Sequence, residues 1–79
     1  MNHKYSDEEL IWRKKFGDKL KRMIHIKGMT QTQVANELGV DTAIVSRYVT
    51  GTFCPAPYRI LQLASILDCD VNCLYDVES

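Results

Sequence analysis

Apolar residues recur at every fourth position along the first third of the chain. The series consists of Trp12, Phe16, Leu20 and Ile24. This spacing places the four side chains on one face of an amphipathic helix. Ser6 and Glu9 have the spacing of a capping box, which marks a helix start, and Gly28 suits the left-handed conformation that ends many helices. We therefore expect a first helix from about Asp7 to Lys27.

A second, shorter helix is predicted to follow the first. Thr30 and Gln33 repeat the capping-box spacing. Met29, just before them, is able to pack onto Val34 as a hydrophobic staple, which fixes the angle at which the chain enters the helix. Gly39 is the expected end of this helix, again because glycine tolerates the left-handed conformation.

A third helix is predicted from Thr42 to about Thr50. Asp41 supplies its cap, and Gly51 follows its last turn. One side of this helix carries Val45, Tyr48 and Val49. The other side carries Ala43, Ser46, Arg47 and Thr50. This outer face is small and polar with a single arginine, whereas a surface helix more often shows several lysines and glutamates.

Two further helices are predicted in the last third of the chain. Pro57 suits the first turn of a fourth helix, where its missing amide costs nothing. The inward stripe of that helix consists of Ile60, Leu63, Ala64 and Leu67. Asp70 then caps a last short helix, which carries Val71, Leu74 and Tyr75.

The predicted architecture is an all-α domain of five helices, because no run alternates apolar and polar residues with the period of a strand. The 79 residues form one domain, with a core from about 7 to 76. No apolar run is long enough for a membrane span, and the N-terminus lacks the apolar stretch of a signal peptide. We therefore expect a cytoplasmic protein without membrane contact.

Net charge alone gives no support for a polyanionic partner, because ten Lys and Arg balance ten Asp and Glu. The charges are unevenly placed, however. From Arg13 to Lys27 seven bases accompany one acid, Asp18, whereas four acids and no base follow Ile60. A polyanion is expected to meet the basic half of the chain, although such a run is also typical of the solvated face of an amphipathic helix.

The spacing around the turn between the second and third helices is more specific than the turn itself. The landmarks are Gly28-Met29-Thr30-Gln31, Val34-Ala35, Leu38-Gly39-Val40, Val45-Ser46-Arg47, Gly51, Pro55, Leu63-Ala64 and Leu67. With these landmarks the chain resembles the lambda-repressor-like helix-turn-helix family, also called the Cro or XRE type. The resemblance covers about Phe16 to Asp76.

The resemblance implies that the third helix lies in the major groove of DNA and that the second helix crosses above it. The residues expected to read bases are then Thr42, Ala43, Ser46 and Arg47. Arg47 is able to donate two hydrogen bonds to a guanine, and Ala43 or Ile44 is able to contact a thymine methyl group.

The resemblance also assigns contacts with the DNA backbone. Gln31 matches the family glutamine that bonds a phosphate and steadies the recognition helix, although glutamine also suits a first helical turn in its own right. Thr50, Thr52 and Phe53 match family positions that approach the sugar-phosphate backbone. Lys27 is a further phosphate candidate, with a favourable interaction with the helix dipole as the alternative.

One pair of positions departs from the family pattern. The family commonly pairs an arginine late in the first helix with a glutamate near the end of the recognition helix. This chain has Ile24 and Val49 there. We expect a direct apolar contact in place of the ion pair, which is neutral or stabilising because no charge is desolvated.

The sequence offers no set of residues that could form a catalytic site. His3 and His25 are isolated, and no Gly-rich phosphate loop follows a strand. Cys69 and Cys73 have a spacing that brings both to one metal, but two ligands do not make a structural zinc site and Cys54 is distant. We therefore expect no enzyme activity, no cofactor, no small-molecule substrate, no metal, and reduced thiols that pack as small apolar groups.

The function predicted from the sequence is that of a sequence-specific DNA-binding transcriptional regulator, of the phage or prophage repressor type. Its expected partner is double-stranded DNA with a pseudo-palindromic operator, bound by a homodimer. The expected dimer surface includes Val71, Tyr75 and Val77. The alternative is an antitoxin-like or other protein-interaction module on the same fold, which would use an apolar patch of Ile44, Tyr48 and Phe53.

Overall fold

Four α-helices and one turn of 3₁₀ helix, joined by short loops, lie within residues 7–74, the part of the chain that the computed structural model describes. They are α1 (Asp7–Ile26), α2 (Gln31–Leu38), α3 (Thr42–Thr50), α4 (Pro57–Ile66) and the 3₁₀ turn (Val71–Cys73). Within residues 7–74 there is no strand, in agreement with the predicted all-α class. No helix in this range is both long and apolar enough to cross a membrane. Ser6, Tyr75 and Val77, which the sequence assigned to a cap and to apolar contacts, lie outside it.

The structure has a 3₁₀ turn where the sequence predicted a fifth helix. Asp70 caps the turn as expected, because its Oδ1 accepts the Asn72 amide at 2.9 Å. The Cys73 amide then donates to the Asp70 carbonyl at 2.8 Å, three residues back, which is the tighter 3₁₀ pattern. Leu74 follows at once and is fully buried. The described residues therefore contain four α-helices.

The local signals that position α2 and α3 are confirmed. Thr30 Oγ1 accepts the Gln33 amide at 3.1 Å, and Gln33 Oε1 accepts the Thr30 amide at 2.8 Å, which completes the capping box. Asp41 Oδ1 accepts the Ala43 amide at 3.0 Å at the start of α3. Gly39 ends α2 in the left-handed conformation. Two capped helices therefore meet across a three-residue turn.

One hydrophobic core joins all four helices, with α1 packed mainly on α3 and with α2 packed on α3 and α4. Its buried members are Phe16, Leu20, Ile24, Val34, Ala35, Leu38, Val45, Tyr48, Ile60, Leu63, Ala64, Leu67 and Leu74. Trp12 is half-buried and stacks on the Phe16 ring with 5.4 Å between centroids. The apolar stripes predicted along the helices are therefore the faces that fill this core.

Gly17, in the middle of α1, is buried against the last turn of α3. A Cβ atom at this position would lie 2.7 Å from the carbonyl oxygen of Tyr48 and closer still to that of Val49. Glycine in a helix interior costs about 1 kcal/mol relative to alanine. Its presence here is therefore explained by the close approach of the two backbones, which no larger residue allows.

We predict that Gly17→Ala destabilises the protein although it raises helix propensity. The added methyl group must push α1 away from α3, and overpacking of this kind costs on the order of 1 to 3 kcal/mol. Urea unfolding should show a lower midpoint. Asn36→Ala, at an exposed position of α2, is the control and should change stability little. A midpoint for Gly17→Ala at or above that of the wild type would contradict the close approach.

A second prediction concerns the expected contact of Ile24 with Val49. Ile24 is buried in the core, and Val49 is half-buried against the same core. Ile24→Arg should bury an unpaired charge and lower stability by about 3 kcal/mol. Adding Val49→Glu should recover part of that loss, as measured by thermal melting.

The control for this pair is Ile26→Arg, because Ile26 is 57% exposed on the same helix. That substitution should be close to neutral. If the double variant melts no higher than Ile24→Arg alone, the two positions do not face each other.

Candidate nucleic-acid interface

The first turns of α2 and α3 lie side by side on the surface. The Thr42 hydroxyl donates to the Thr32 hydroxyl at 3.5 Å, which links the two helix starts. Gln31, the first residue of α2, is half-buried and precedes Thr32. Thr42 therefore lies beside the first turn of α2, to which Gln31 also belongs, and two helix N-termini favour a negatively charged group.

The outer face of α3 has the composition that the sequence predicted. Val45 and Tyr48 are buried in the core. Ala43, Arg47 and Thr50 are exposed, while Thr42 and Ser46 are half-buried. The exposed surface of the helix is therefore small and polar, and Arg47 is its only cation.

The segment after α3 folds back onto the carbonyl oxygen of Arg47. This oxygen accepts the amides of Thr52 at 2.9 Å and Phe53 at 3.2 Å, and the Thr50 hydroxyl at 3.3 Å. The Thr50 and Thr52 hydroxyls are themselves 2.9 Å apart. Gly51 allows this tight return because it adopts a left-handed φ of 84°. Two more predicted site residues, Thr50 and Thr52, are thereby held beside the end of α3.

The side chain of Arg47 lies over an aromatic ring. Its guanidinium carbon is 5.3 Å from the centroid of the Phe53 ring, a cation–π geometry. The Phe53 ring meets Tyr48 edge-on, with 6.5 Å between centroids and 63° between planes. The arginine predicted to read bases is therefore in contact with the loop that follows its helix.

Arg13 has a role that the sequence did not predict. It was counted in the basic run of the first helix, yet it is only 6% exposed. Its Nη1 donates to the Thr52 carbonyl at 3.2 Å, which ties α1 to the loop after α3. A signal was available in the sequence, because Arg13 lies three residues before Phe16 and four before Gly17, on the side of α1 that packs inward.

Lys27 makes a different contact from the other predicted phosphate ligands. Its Nζ donates to the carbonyl of Asp68 at 3.3 Å in an exposed bond. Asp68 follows α4 and has a φ of 51°. The bond ties the end of α1 to the end of α4, so a phosphate contact by Lys27 requires this carbonyl to be shared or released.

The bases of α1 differ in exposure. Arg13 is withdrawn into the interior, whereas the exposed lysines and arginines of this helix are Lys14, Lys15, Lys21 and Arg22. The exposed cap Asp41 adds a negative charge next to the start of α3. At α3 itself one exposed arginine is therefore accompanied by one exposed carboxylate.

The thiols of Cys54, Cys69 and Cys73 are free. Partial burial raises the pKa of Cys54, and the carboxylate of Glu9 adds to this while Arg13 opposes it. Partial burial likewise raises the pKa of Cys69, with a further contribution from the Cys73 thiol. Within residues 7–74 no three His, Cys, Asp or Glu side chains group so as to hold a metal ion.

Known proteins share this arrangement. A helix-turn-helix family matches residues 20–72 of the chain. The crystal structure of the restriction-modification controller protein C.AhdI from Aeromonas hydrophila is similar, with a TM-score of 0.75 and 30% sequence identity. The match covers 80% of this chain and 96% of that one. None of the curated proteins compared with the chain matches it.

We predict that Cys54 and Cys69 react with iodoacetamide more slowly in the native protein than in urea at pH 8. A raised pKa leaves less of the reactive thiolate at that pH. The difference should shrink as the pH rises through the raised pKa, because the native thiol then ionises as well. Timed alkylation followed by peptide mass spectrometry measures each site, and faster alkylation of the native protein would contradict the raised pKa.

Proposed function

The chain belongs to the Cro/C1-type helix-turn-helix family of DNA-binding transcription regulators, and on that basis we propose that it reads a specific DNA sequence through α3. The single observation that carries the proposal is the outer face of α3. It exposes small and polar side chains with one arginine, next to the first turn of α2. Small side chains permit close approach to base edges, and one arginine supplies a directional contact.

The proposed roles divide between bases and phosphates. Arg47 donates two bonds to a guanine, and Ala43 packs against a thymine methyl group, with Thr42 and Ser46 at neighbouring base edges. The backbone contacts are assigned to Gln31, Thr50, Thr52 and Lys27. This division follows from chemistry, because base edges differ between sequences and phosphates do not.

We propose that two copies bind a pseudo-palindromic operator, because one domain of this size makes few base contacts. An exposed apolar surface on α4 supports self-association. Tyr58 is 69% exposed and Leu61 is 58% exposed. Leu61 also borders a groove of about 250 Å³ with Pro57, Ile60 and Val71, and Val71 was predicted to lie at the dimer surface. An apolar groove of this kind is typical of interface cores.

The specific form of the proposal is repression, of the phage or prophage type, from an operator near the protein's own gene. The similar controller protein of a restriction-modification system supports a compact regulator of this size, since the match covers 96% of that chain. Protection of the protein's own upstream DNA from nuclease digestion is the direct assay for such an operator.

The alternative of a protein-interaction module has less support. It needs Ile44, Tyr48 and Phe53 as one apolar patch. Tyr48 is only 7% exposed, and the guanidinium of Arg47 lies over the Phe53 ring. Tyr48 is therefore withdrawn from the surface, and the Phe53 ring, 39% exposed, is partly covered by Arg47.

We predict that Arg47→Ala weakens binding mainly at the cognate site. If Arg47 grips a guanine through two bonds, the loss should be about 1 to 3 kcal/mol there and smaller on scrambled DNA. Gln31→Ala should weaken binding to both duplexes by similar factors, because a phosphate contact carries no sequence information. Titration of fluorescent duplexes with each protein measures these affinities, and the stoichiometry reports the number of copies bound.

The titration is carried out at two salt concentrations. Because the chain has no net charge, the binding constant should fall only gradually as the salt concentration rises, with a slope that corresponds to roughly three to five phosphates per protomer. Equal losses for Arg47→Ala on both duplexes would remove it from base recognition. The absence of salt-sensitive binding to any duplex would favour the protein-interaction module.

A further inference from the structure

The Phe53 ring lies between a buried tyrosine and the exposed arginine of α3. One contact is the edge of Tyr48, a core residue that is 7% exposed. The other is the guanidinium of Arg47 at 5.3 Å from the ring centroid. The three side chains form a continuous row from the core to the outer face of α3, with Phe53 in the middle.

The backbone holds Phe53 in this place. Its amide and that of Thr52 both donate to the Arg47 carbonyl, at 3.2 and 2.9 Å. The carbonyl of Thr52 in turn accepts from Arg13, which is buried in α1. The main chain of Phe53 is therefore held beside the residue whose side chain its ring touches, and the ring itself packs against the edge of Tyr48.

We propose that Phe53 is a positioning residue that holds the Arg47 guanidinium ready for a base, an inference that rests on the proposed DNA-binding function. A free arginine side chain has several rotamers, and ordering them on binding costs free energy. Stacking on an aromatic ring uses the face of the guanidinium and leaves its N–H groups free in the plane of the group. Those in-plane donors are the ones that a guanine edge accepts.

This role differs from a contact between Phe53 and the sugar-phosphate backbone. A backbone contact would add affinity for every duplex, whereas ordering Arg47 adds affinity only where Arg47 finds its base. It also differs from a role in the core, because Phe53 is 39% exposed and lies outside the buried cluster. Its replacement should therefore leave the fold intact.

The test is a double-mutant cycle on cognate and scrambled duplexes. Phe53→Leu keeps an apolar side chain but removes the ring, and it should lower the ratio of cognate to scrambled affinity about threefold. Affinity for the scrambled duplex should not change. In the Arg47→Ala background the same substitution should have no further effect. Phe53→Tyr, which keeps the ring, should retain the wild-type ratio.

Measurements on the free protein separate this inference from the proposed function. In wild type the NMR signals of the Arg47 δ-methylene should be shifted upfield by the ring relative to those of exposed Arg22, and Phe53→Leu should remove the shift. The melting temperature of the Phe53→Leu variant should stay close to that of the wild type.

Three results would overturn the positioning role. They are an equal loss of affinity on both duplexes, the same loss with and without Arg47, or no upfield shift in the wild type. If the wild type prefers no duplex, the proposed function fails, and the NMR result still shows whether the ring orders the arginine.

Discussion

The contact on which the rest of this structure depends is the approach of α1 to the last turn of α3 at Gly17. No Cβ atom fits there beside the Tyr48 carbonyl oxygen, so the two backbones are closer than a residue with a side chain would allow. α3 has only nine residues and α2 only eight, too few for either helix to be stable alone. The orientation of α3 therefore depends on its packing against α2 and on this crossing with α1.

A second constraint follows from the first, because the chain must turn sharply where α3 meets α1. The loop closes on the carbonyl of Arg47, and buried Arg13 holds it from the other side. This closure brings Phe53 under the Arg47 side chain. The hydrogen bonds that close this loop therefore also shape the candidate site. They bring the Phe53 ring beside the side chain of Arg47, which stays outside the core.

The absence of net charge gives this arrangement its functional meaning. A strongly basic protein binds any duplex through phosphates. A chain with ten bases and ten acids has a weaker net electrostatic attraction to the phosphate backbone. In the proposed function, selectivity then depends on a few directed contacts. The main one is assigned to Arg47, whose guanidinium lies over the Phe53 ring on a helix face of small side chains.

The sequence by itself determined the helices, because caps, terminating glycines and apolar spacing are local signals read within one turn. Thr30, Asp41 and Asp70 cap the turns that they were predicted to cap, and the residue landmarks were sufficient to recognise the family. The last short helix is a 3₁₀ turn over Val71–Cys73, since an N-cap signals a start but not the hydrogen-bond pattern that follows it. Tertiary structure alone decided the bond from Arg13 to the Thr52 carbonyl and the pairing of Arg47 with Phe53. These depend on contacts between residues distant in sequence or on the path of an irregular loop, and no periodic pattern encodes either.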